Sequence, residues 1–155
     1  PRGLISHVYL GIAANSETLP PKVTDPLRSA GGWIDRLGAP IRLPDWLTEN
    51  DLNYIVSQFE KAGFRGGVNY YRNFHRNWVI TEHLADEKIS IPTLFIAGEE
   101  DFVIGGSTKE QLTASMSGVV EDLRDVVLIP DTGHWVQQEA PGETTAAMLK
   151  FLNGL

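Results

Sequence analysis

An aspartate and a histidine in the second half of the chain have side chains that can work as an acid–base pair. Asp101 lies in the segment Gly98-Glu99-Glu100-Asp101-Phe102, and His134 lies in the segment Asp131-Thr132-Gly133-His134-Trp135. A carboxylate that hydrogen-bonds one imidazole nitrogen fixes the tautomer and stabilises the imidazolium formed when the other nitrogen takes a proton. We therefore predict that His134 is a general base backed by Asp101. Gly133 is expected to permit a tight turn that directs the ring inward.

Two short apolar runs precede these segments and are typical of parallel strands buried on both faces. They cover residues 93–97 and 125–130. In open parallel sheets, ligands bind beyond the carboxyl ends of the strands. The carboxylate and the imidazole are therefore expected at the same edge of neighbouring strands.

The surrounding elements are predicted to be helical. Thr48 with Asp51 three residues later is typical of a helix N-terminus, and it predicts a helix over residues 49–62 that Gly63 ends. Residues 1–45 hold six of the nine prolines and are expected to be mostly linker or surface wrap. Further helices are expected over about 66–85, 107–116 and 141–152, with a short stretch around 22–30 or 33–37.

Strands alternating with helices predict an α/β fold with a parallel pair of strands. Isolated two-stranded sheets are marginally stable in water, and parallel strands expose hydrogen-bonding groups at their edges. The two strands are therefore expected to be the end of a larger doubly wound sheet whose other strands lie outside this chain.

Composition excludes several classes of protein. The 155 residues carry a formal net charge of −7 with scattered Lys and Arg, which argues against nucleic acid or an anionic membrane as partner. There is no cysteine, so disulfide and thiolate chemistry are excluded, and this fits a cytoplasmic location. No apolar run is long enough to span a bilayer. No spacing of His or acidic residues suggests a metal site.

The chain resembles a known family in two parts. Gly-x-x-Asp after one strand and Gly-His-Trp after the next are similar to the end of the α/β-hydrolase fold. The preceding part resembles the lid of soluble epoxide hydrolases, and the resemblance extends over residues 41–155. The segments that carry it, in order, are Leu43-Pro44-Asp45-Trp46-Leu47-Thr48, Gly63-Phe64-Arg65-Gly66-Gly67-Val68-Asn69-Tyr70-Tyr71-Arg72-Asn73 and Arg76-Asn77-Trp78.

This resemblance implies the C-terminal half of an α/β-hydrolase fold, with a helical lid portion over residues 1–86. The last two parallel strands and their helices would then form the end of the core, over residues 87–155. It also implies hydrolysis of a small-molecule epoxide to a vicinal diol through an alkyl-enzyme ester, in detoxification, without a cofactor.

The resemblance carries three side-chain roles onto this chain. His134 and Asp101 would belong to a catalytic triad, and Tyr71 would be the lid tyrosine that precedes an Arg-Asn pair. A phenol can hydrogen-bond the alkoxide that develops when an epoxide opens and can give it a proton. Tyr70 falls where the family commonly has tryptophan, so packing is expected for it. Trp135 and Phe102, beside the base and the acid, are the predicted substrate contacts.

Three parts of the family's machinery do not occur in this chain. They are the aspartate nucleophile, the His-Gly-x-Pro loop and a second lid tyrosine. The missing N-terminal half of the fold would supply them, so we expect the isolated chain to be inactive. The alternatives are another α/β-hydrolase, such as a haloalkane dehalogenase or an esterase or lactonase, and a non-catalytic fragment. The sequence leaves open which epoxide is used, and a homodimer stays open as well.

Overall fold

The computed structural model describes residues 1–25, 27 and 31–155. Helices dominate the first half of the chain, and the two strands lie in the second half. In chain order the elements are α1 (Arg2–Gly11), α2 (Trp33–Arg36), α3 (Glu49–Ala62), α4 (Arg65–Arg72), α5 (Phe74–Ile80), a 3-10 helix (Glu82–Leu84), β1 (Thr93–Gly98), α6 (Lys109–Met116), β2 (Leu123–Ile129), α7 (Val136–Glu139) and α8 (Pro141–Leu152).

The predicted parallel pair of strands is confirmed. β1 and β2 pair in parallel, in a register that places Leu94 opposite Asp125 and Gly98 opposite Ile129. Among the described residues the sheet has these two strands. Most of their side chains are only half-buried, although strands of this composition are normally covered on both faces. Over the residues that the structure describes, the sheet thus has the composition of a buried sheet but is only partly covered.

The predicted N-terminus of α3 is confirmed in detail. The Thr48 hydroxyl accepts a hydrogen bond from the backbone N–H of Asp51, and the Asp51 carboxylate accepts one from the Thr48 N–H. The side-chain hydrogen bond from Thr48 holds the pKa of Asp51 below its ordinary value. Gly63 ends the helix with φ +67°, a conformation that glycine adopts without strain. The helices predicted over 107–116 and 141–152 are also present, the first beginning at Lys109 after the cap Thr108.

Helix α1 was not predicted. It buries Ile5 and Leu10 against Leu47, Leu52 and Val56, and this cluster joins α1 to α3. The density of prolines was misleading, because the prolines lie at position 1 and from position 20 onward and leave α1 free of them. The helix also has no capping side chain and no acidic residue in its first turn. The usual local signals of a helix start are therefore absent from this segment.

The other helical expectation for residues 1–45 has a mixed outcome. Of the two stretches considered, 33–37 contains a helix, α2. In the stretch 22–30, residues 22–25 are not helical, and residues 26 and 28–30 lie outside the described residues.

The single helix expected over 66–85 was wrong, since the chain forms α4, α5 and the 3-10 helix there. The breaks fall at Asn73 and Thr81. The Asn73 amide donates a hydrogen bond to the Asn69 carbonyl (2.9 Å), and the Thr81 hydroxyl donates one to the Asn77 carbonyl (2.7 Å). Such side chains compete with the helical backbone pattern. None of the described residues in these elements is buried, so packing does not hold the helix straight.

A second apolar cluster lies where β2 meets the helices that follow it. Ile129, Val136 and Ala140 are buried there, with Ile96 and Val127 packed against them. This cluster fixes the loop between β2 and α7, which contains His134. Within the described part of the chain, no helix combines the length and the apolar composition needed to cross a membrane.

Candidate active site

Asp101 and His134 lie together at the carboxyl ends of β1 and β2. The His134 Nδ1 is 3.0 Å from Asp101 Oδ1 and 3.2 Å from Oδ2. The Asp101 side chain is 12% exposed and the His134 side chain is 32% exposed. The backbone N–H of Val103 also donates to Asp101 Oδ1 at 2.9 Å. This arrangement directs a protonated Nδ1 at the carboxylate and leaves Nε2 available as an acceptor.

Gly98 is required by the close approach of two loops. The acid loop, residues 99–108, follows β1 and contains Asp101, and the base loop, residues 130–135, follows β2 and contains His134. A Cβ at this position would lie 2.1 Å from the Thr132 carbonyl oxygen and 2.4 Å from the Gly133 carbonyl oxygen. The contact continues beyond the strands, because the Glu100 N–H donates to Thr132 O at 2.9 Å. The acid loop and the base loop are therefore held against each other by backbone contacts as well as by the Asp101–His134 pair.

The expected role of Gly133 was wrong. Its φ does not lie in the left-handed region, so no special turn requires a glycine here. A Cβ on Gly133 would instead lie 2.4 Å from the backbone nitrogen of Ala14 and 2.8 Å from the carbonyl carbon of Ala13. A glycine at this position therefore allows the backbone of the N-terminal segment, residues 12–14, to lie close to the base loop.

That N-terminal segment contacts the base loop directly. The His134 N–H donates to the Ile12 carbonyl (3.2 Å), and the Trp135 indole N–H donates to the Tyr9 carbonyl (2.9 Å). The Tyr9 and Trp135 rings stack with centroids 4.5 Å apart. Trp135 thus packs against α1, and its predicted role as a substrate contact stays a prediction. Sequence reasoning missed these contacts, since neither Tyr9 nor Ile12 belongs to a motif.

Glu139 was also missed. Its Oε2 accepts hydrogen bonds from the N–H groups of Ala14 and Gly133, and its Oε1 accepts one from the N–H of Trp135, each at 2.9 Å. A local signal existed, because an acidic side chain four residues after Trp135 can accept a hydrogen bond from the backbone N–H of that residue. One glutamate does not stand out among the 20 acidic residues of the chain.

The other predicted site residues occupy different environments. The Phe102 ring is 63% exposed, and its centroid lies 5.3 Å from that of His134. Tyr71 is 69% exposed on α4, where its ring makes edge contacts with Tyr70 and Phe74. Among the described residues, no hydrogen bond or ring contact joins Tyr71 to Asp101 or His134. The structure brings the acid, the base and Phe102 together and leaves Tyr71 on an exposed helix.

Two clefts were found elsewhere on the described surface. One of about 550 Å³ lies beside β2 and α6, and one of about 180 Å³ lies between residues 14–17, 42–46 and Glu139. Neither is lined by Asp101, His134 or Tyr71. Over the residues that the structure describes, no three His, Asp or Glu side chains are grouped as metal ligands would be.

The chain is similar to proteins of known name. It is 47% identical over 124 residues to epoxide hydrolase A of Mycobacterium tuberculosis, covering 80% of this chain and 37% of that protein. It is 35% identical over 116 residues to epoxide hydrolase 3 of Siraitia grosvenorii, covering 74% of this chain and 37% of that protein. No protein-family model matches the chain.

Solved structures give the same result. The crystal structure of epoxide hydrolase A from Mycobacterium thermoresistibile superimposes with a TM-score of 0.80 at 40% identity, covering 100% of this chain and 46% of that one. Potato (Solanum tuberosum) epoxide hydrolase I superimposes with a TM-score of 0.77 at 27% identity, covering 99% and 46%. The chain thus spans less than half the length of these relatives.

Proposed function

The chain corresponds to the C-terminal part of the epoxide hydrolases of the α/β-hydrolase fold, and from this correspondence we propose that the intact protein hydrolyses epoxides to vicinal diols. The observation that carries the proposal is the Asp101–His134 hydrogen bond at the ends of two neighbouring parallel strands. In this proposal residues 1–86 belong to the lid and residues 87–155 to the core. The chain supplies the base, its acid partner and the lid tyrosine Tyr71.

The first step opens the epoxide. A carboxylate from the part of the protein outside this chain attacks one oxirane carbon, and the bond from that carbon to the ring oxygen breaks. The oxygen takes the proton of the Tyr71 phenol, which becomes a phenolate. The product is a hydroxyalkyl ester of the enzyme carboxylate. A second tyrosine, also outside this chain, would share the developing charge with Tyr71.

The second step hydrolyses the ester. His134 Nε2 takes a proton from water as the water oxygen attacks the ester carbonyl, and the imidazolium formed is stabilised by the Asp101 carboxylate. The ester bond to the alkoxide oxygen then breaks, the alkoxide takes the second proton of the attacking water to become the second hydroxyl of the diol, and the nucleophile is restored as a carboxylate. The proton held by His134 finally returns to the Tyr71 phenolate, directly or through solvent, so that the whole cycle adds one water to the epoxide.

The test of this proposal is product formation by the intact protein. We expect it to convert epoxides to diols and not to release halide from haloalkanes or hydrolyse simple esters. The 155-residue chain alone is expected to form no diol, because the proposal places the nucleophile in the part of the protein outside this chain. Halide release or ester hydrolysis in place of diol formation would assign the intact protein to another branch of the α/β-hydrolases. Diol formation by the isolated chain would contradict the proposal that the nucleophile lies outside this chain.

Tyr71→Phe tests the lid tyrosine. The variant lacks the hydroxyl that protonates the alkoxide, so we expect alkylation of the enzyme to slow by about 10-fold to 100-fold, the second tyrosine limiting the loss. Ester hydrolysis should change little, since the alkoxide that leaves in that step takes its proton from the attacking water and not from Tyr71. Rapid-quench measurement of the two steps separates these effects.

Tyr70→Phe is the matched control, since Tyr70 is the adjacent residue on the same exposed helix. It is expected to leave both steps near the wild-type rates. A larger effect at Tyr70 than at Tyr71 would reverse the assignment of the two side chains.

A further inference from the structure

Three consecutive backbone N–H groups of the base loop are all engaged by defined acceptors. The N–H of Gly133 donates to Glu139 Oε2, that of His134 donates to the Ile12 carbonyl, and that of Trp135 donates to Glu139 Oε1. Hydrogen bonds to a carboxylate are stronger than those between neutral groups. One side chain therefore binds the N–H of the residue before the histidine and that of the residue after it, while the N–H of the histidine itself is held by Ile12.

The same carboxylate reaches across to the N-terminal segment. Glu139 Oε2, which binds Gly133, also accepts the N–H of Ala14 at 2.9 Å. The acid loop contacts the same segment in a similar way, because the Glu100 carboxylate accepts a hydrogen bond from the backbone N–H of Asn15 at 3.2 Å. Residues 12–15 are thus held between the acid loop and the base loop, and Glu139 is the group shared by the segment and the histidine's own loop.

We propose that Glu139 is a positioning residue for His134 in the hydrolysis of the alkyl-enzyme ester. The inference rests on the proposed function. Glu139 does not touch the reacting atoms; it sets the backbone from which the imidazole projects and couples that backbone to residues 12–14. A shift of about 1 Å in a catalytic group can cost about 100-fold in rate. Ester hydrolysis depends on the position of His134, whereas alkylation does not use the base.

The experiment compares Glu139→Gln with Glu143→Gln in the intact protein. The first change replaces one carboxylate oxygen by an NH2 group, which must face a backbone N–H and loses at least one of the three bonds. Glu143 lies on α8, is exposed and provides the same change of charge without contact to the base loop. Using an epoxide that the wild-type protein turns over, rapid quench and intact mass give the rate of ester formation, its amplitude and its rate of decay.

We expect Glu139→Gln to slow ester decay by about 10-fold to 100-fold while ester formation stays near the wild-type rate. Glu143→Gln should match wild type in both steps. Partial misfolding would lower the amplitude of ester formation without slowing its decay, so the decay rate separates positioning from general destabilisation. Glu139→Asp, which keeps the charge but shortens the side chain, should fall between wild type and Glu139→Gln.

Three results would overturn the assignment of Glu139. The first is an unchanged rate of ester decay. The others are an equal loss in both steps and a complete absence of ester, since alkylation would then need Glu139 as much as hydrolysis does. Failure of the proposed function has a different signature. In that case the wild-type protein itself forms neither ester nor diol.

Discussion

Replacement of His134 by glutamine in the intact protein is expected to leave a hydroxyalkyl ester trapped on the enzyme. Glutamine can still hydrogen-bond to Asp101, but it is not a base at neutral pH. Carboxylate attack on the epoxide needs no base, so the ester should form. Its hydrolysis should slow by about 100-fold to 10,000-fold, which is the usual contribution of a general base. Intact mass spectrometry after brief exposure to epoxide would show an adduct with the mass of the substrate.

His83→Gln is the matched control for this experiment. His83 lies on the exposed 3-10 helix, and the same chemical change there is expected to leave turnover unchanged and to trap no adduct. If the His134 variant bound epoxide but gave no adduct, carboxylate attack on the epoxide would not precede the step that needs His134 as a base. The proposed order of the two steps would then be wrong.

The part of the site that could be predicted from sequence is the part governed by local pattern. The apolar runs before Gly98 and Asp131 predict parallel strands, and the strands place Asp101 and His134 at one edge of the sheet. The hydrogen bond between them follows from that placement and is present at 3.0 Å. The register of the strands, with Gly98 opposite Ile129, also explains why a glycine stands where the two loops meet.

The part that could not be predicted depends on contacts between distant positions. Ala14 and Glu139 are separated by 125 residues, and Tyr9 and Trp135 by 126. No periodicity or spacing within a short window encodes such a pair. Gly133 illustrates the consequence, because its local sequence suggests a turn while its actual constraint is the backbone of residues 13 and 14. The segment expected to be a linker is therefore a structural neighbour of the base.

Long-range contacts also explain why α1 exists. The helix lacks local capping signals, yet Ile5 and Leu10 are buried against α3. Most helical stability in proteins comes from packing of an apolar face and not from intrinsic propensity. α4 and α5 show the converse, since they have no buried residue among those described and break at Asn73. Packing against α3 therefore accounts for a helix that the local signals do not predict.

The geometry around Asp101 leads to the second large expected effect, that of Asp101→Asn. The Val103 N–H donates to Oδ1, the oxygen that also faces His134 Nδ1. In the variant the asparagine carbonyl should take the place of Oδ1, because its NH2 group would meet the Val103 N–H with hydrogen directed at hydrogen. The NH2 group would then stand at the Oδ2 position, 3.2 Å from His134 Nδ1, where it disfavours a protonated Nδ1. The variant also loses the negative charge beside the imidazolium.

The loss of that charge sets the size of the effect. Two opposite charges about 4 Å apart attract by about 4 kcal/mol at an effective dielectric constant of 20, which corresponds to roughly a thousandfold in rate. We therefore expect Asp101→Asn to slow ester hydrolysis by about that factor while alkylation changes little. Asp131→Asn makes the same substitution at an exposed position of the base loop, at φ +52° where asparagine is well tolerated, and should retain wild-type turnover.

A double variant shows whether the two residues act as a unit. If the carboxylate works only through the imidazole, adding Asp101→Asn to His134→Gln should cost little more than His134→Gln alone, because groups that act together are strongly non-additive. Rapid-quench rates of ester decay in both single variants and in the double variant measure this directly. Losses that multiply would mean that Asp101 acts on the ester independently of His134, and an Asp101→Asn variant with wild-type decay would remove the carboxylate from the mechanism.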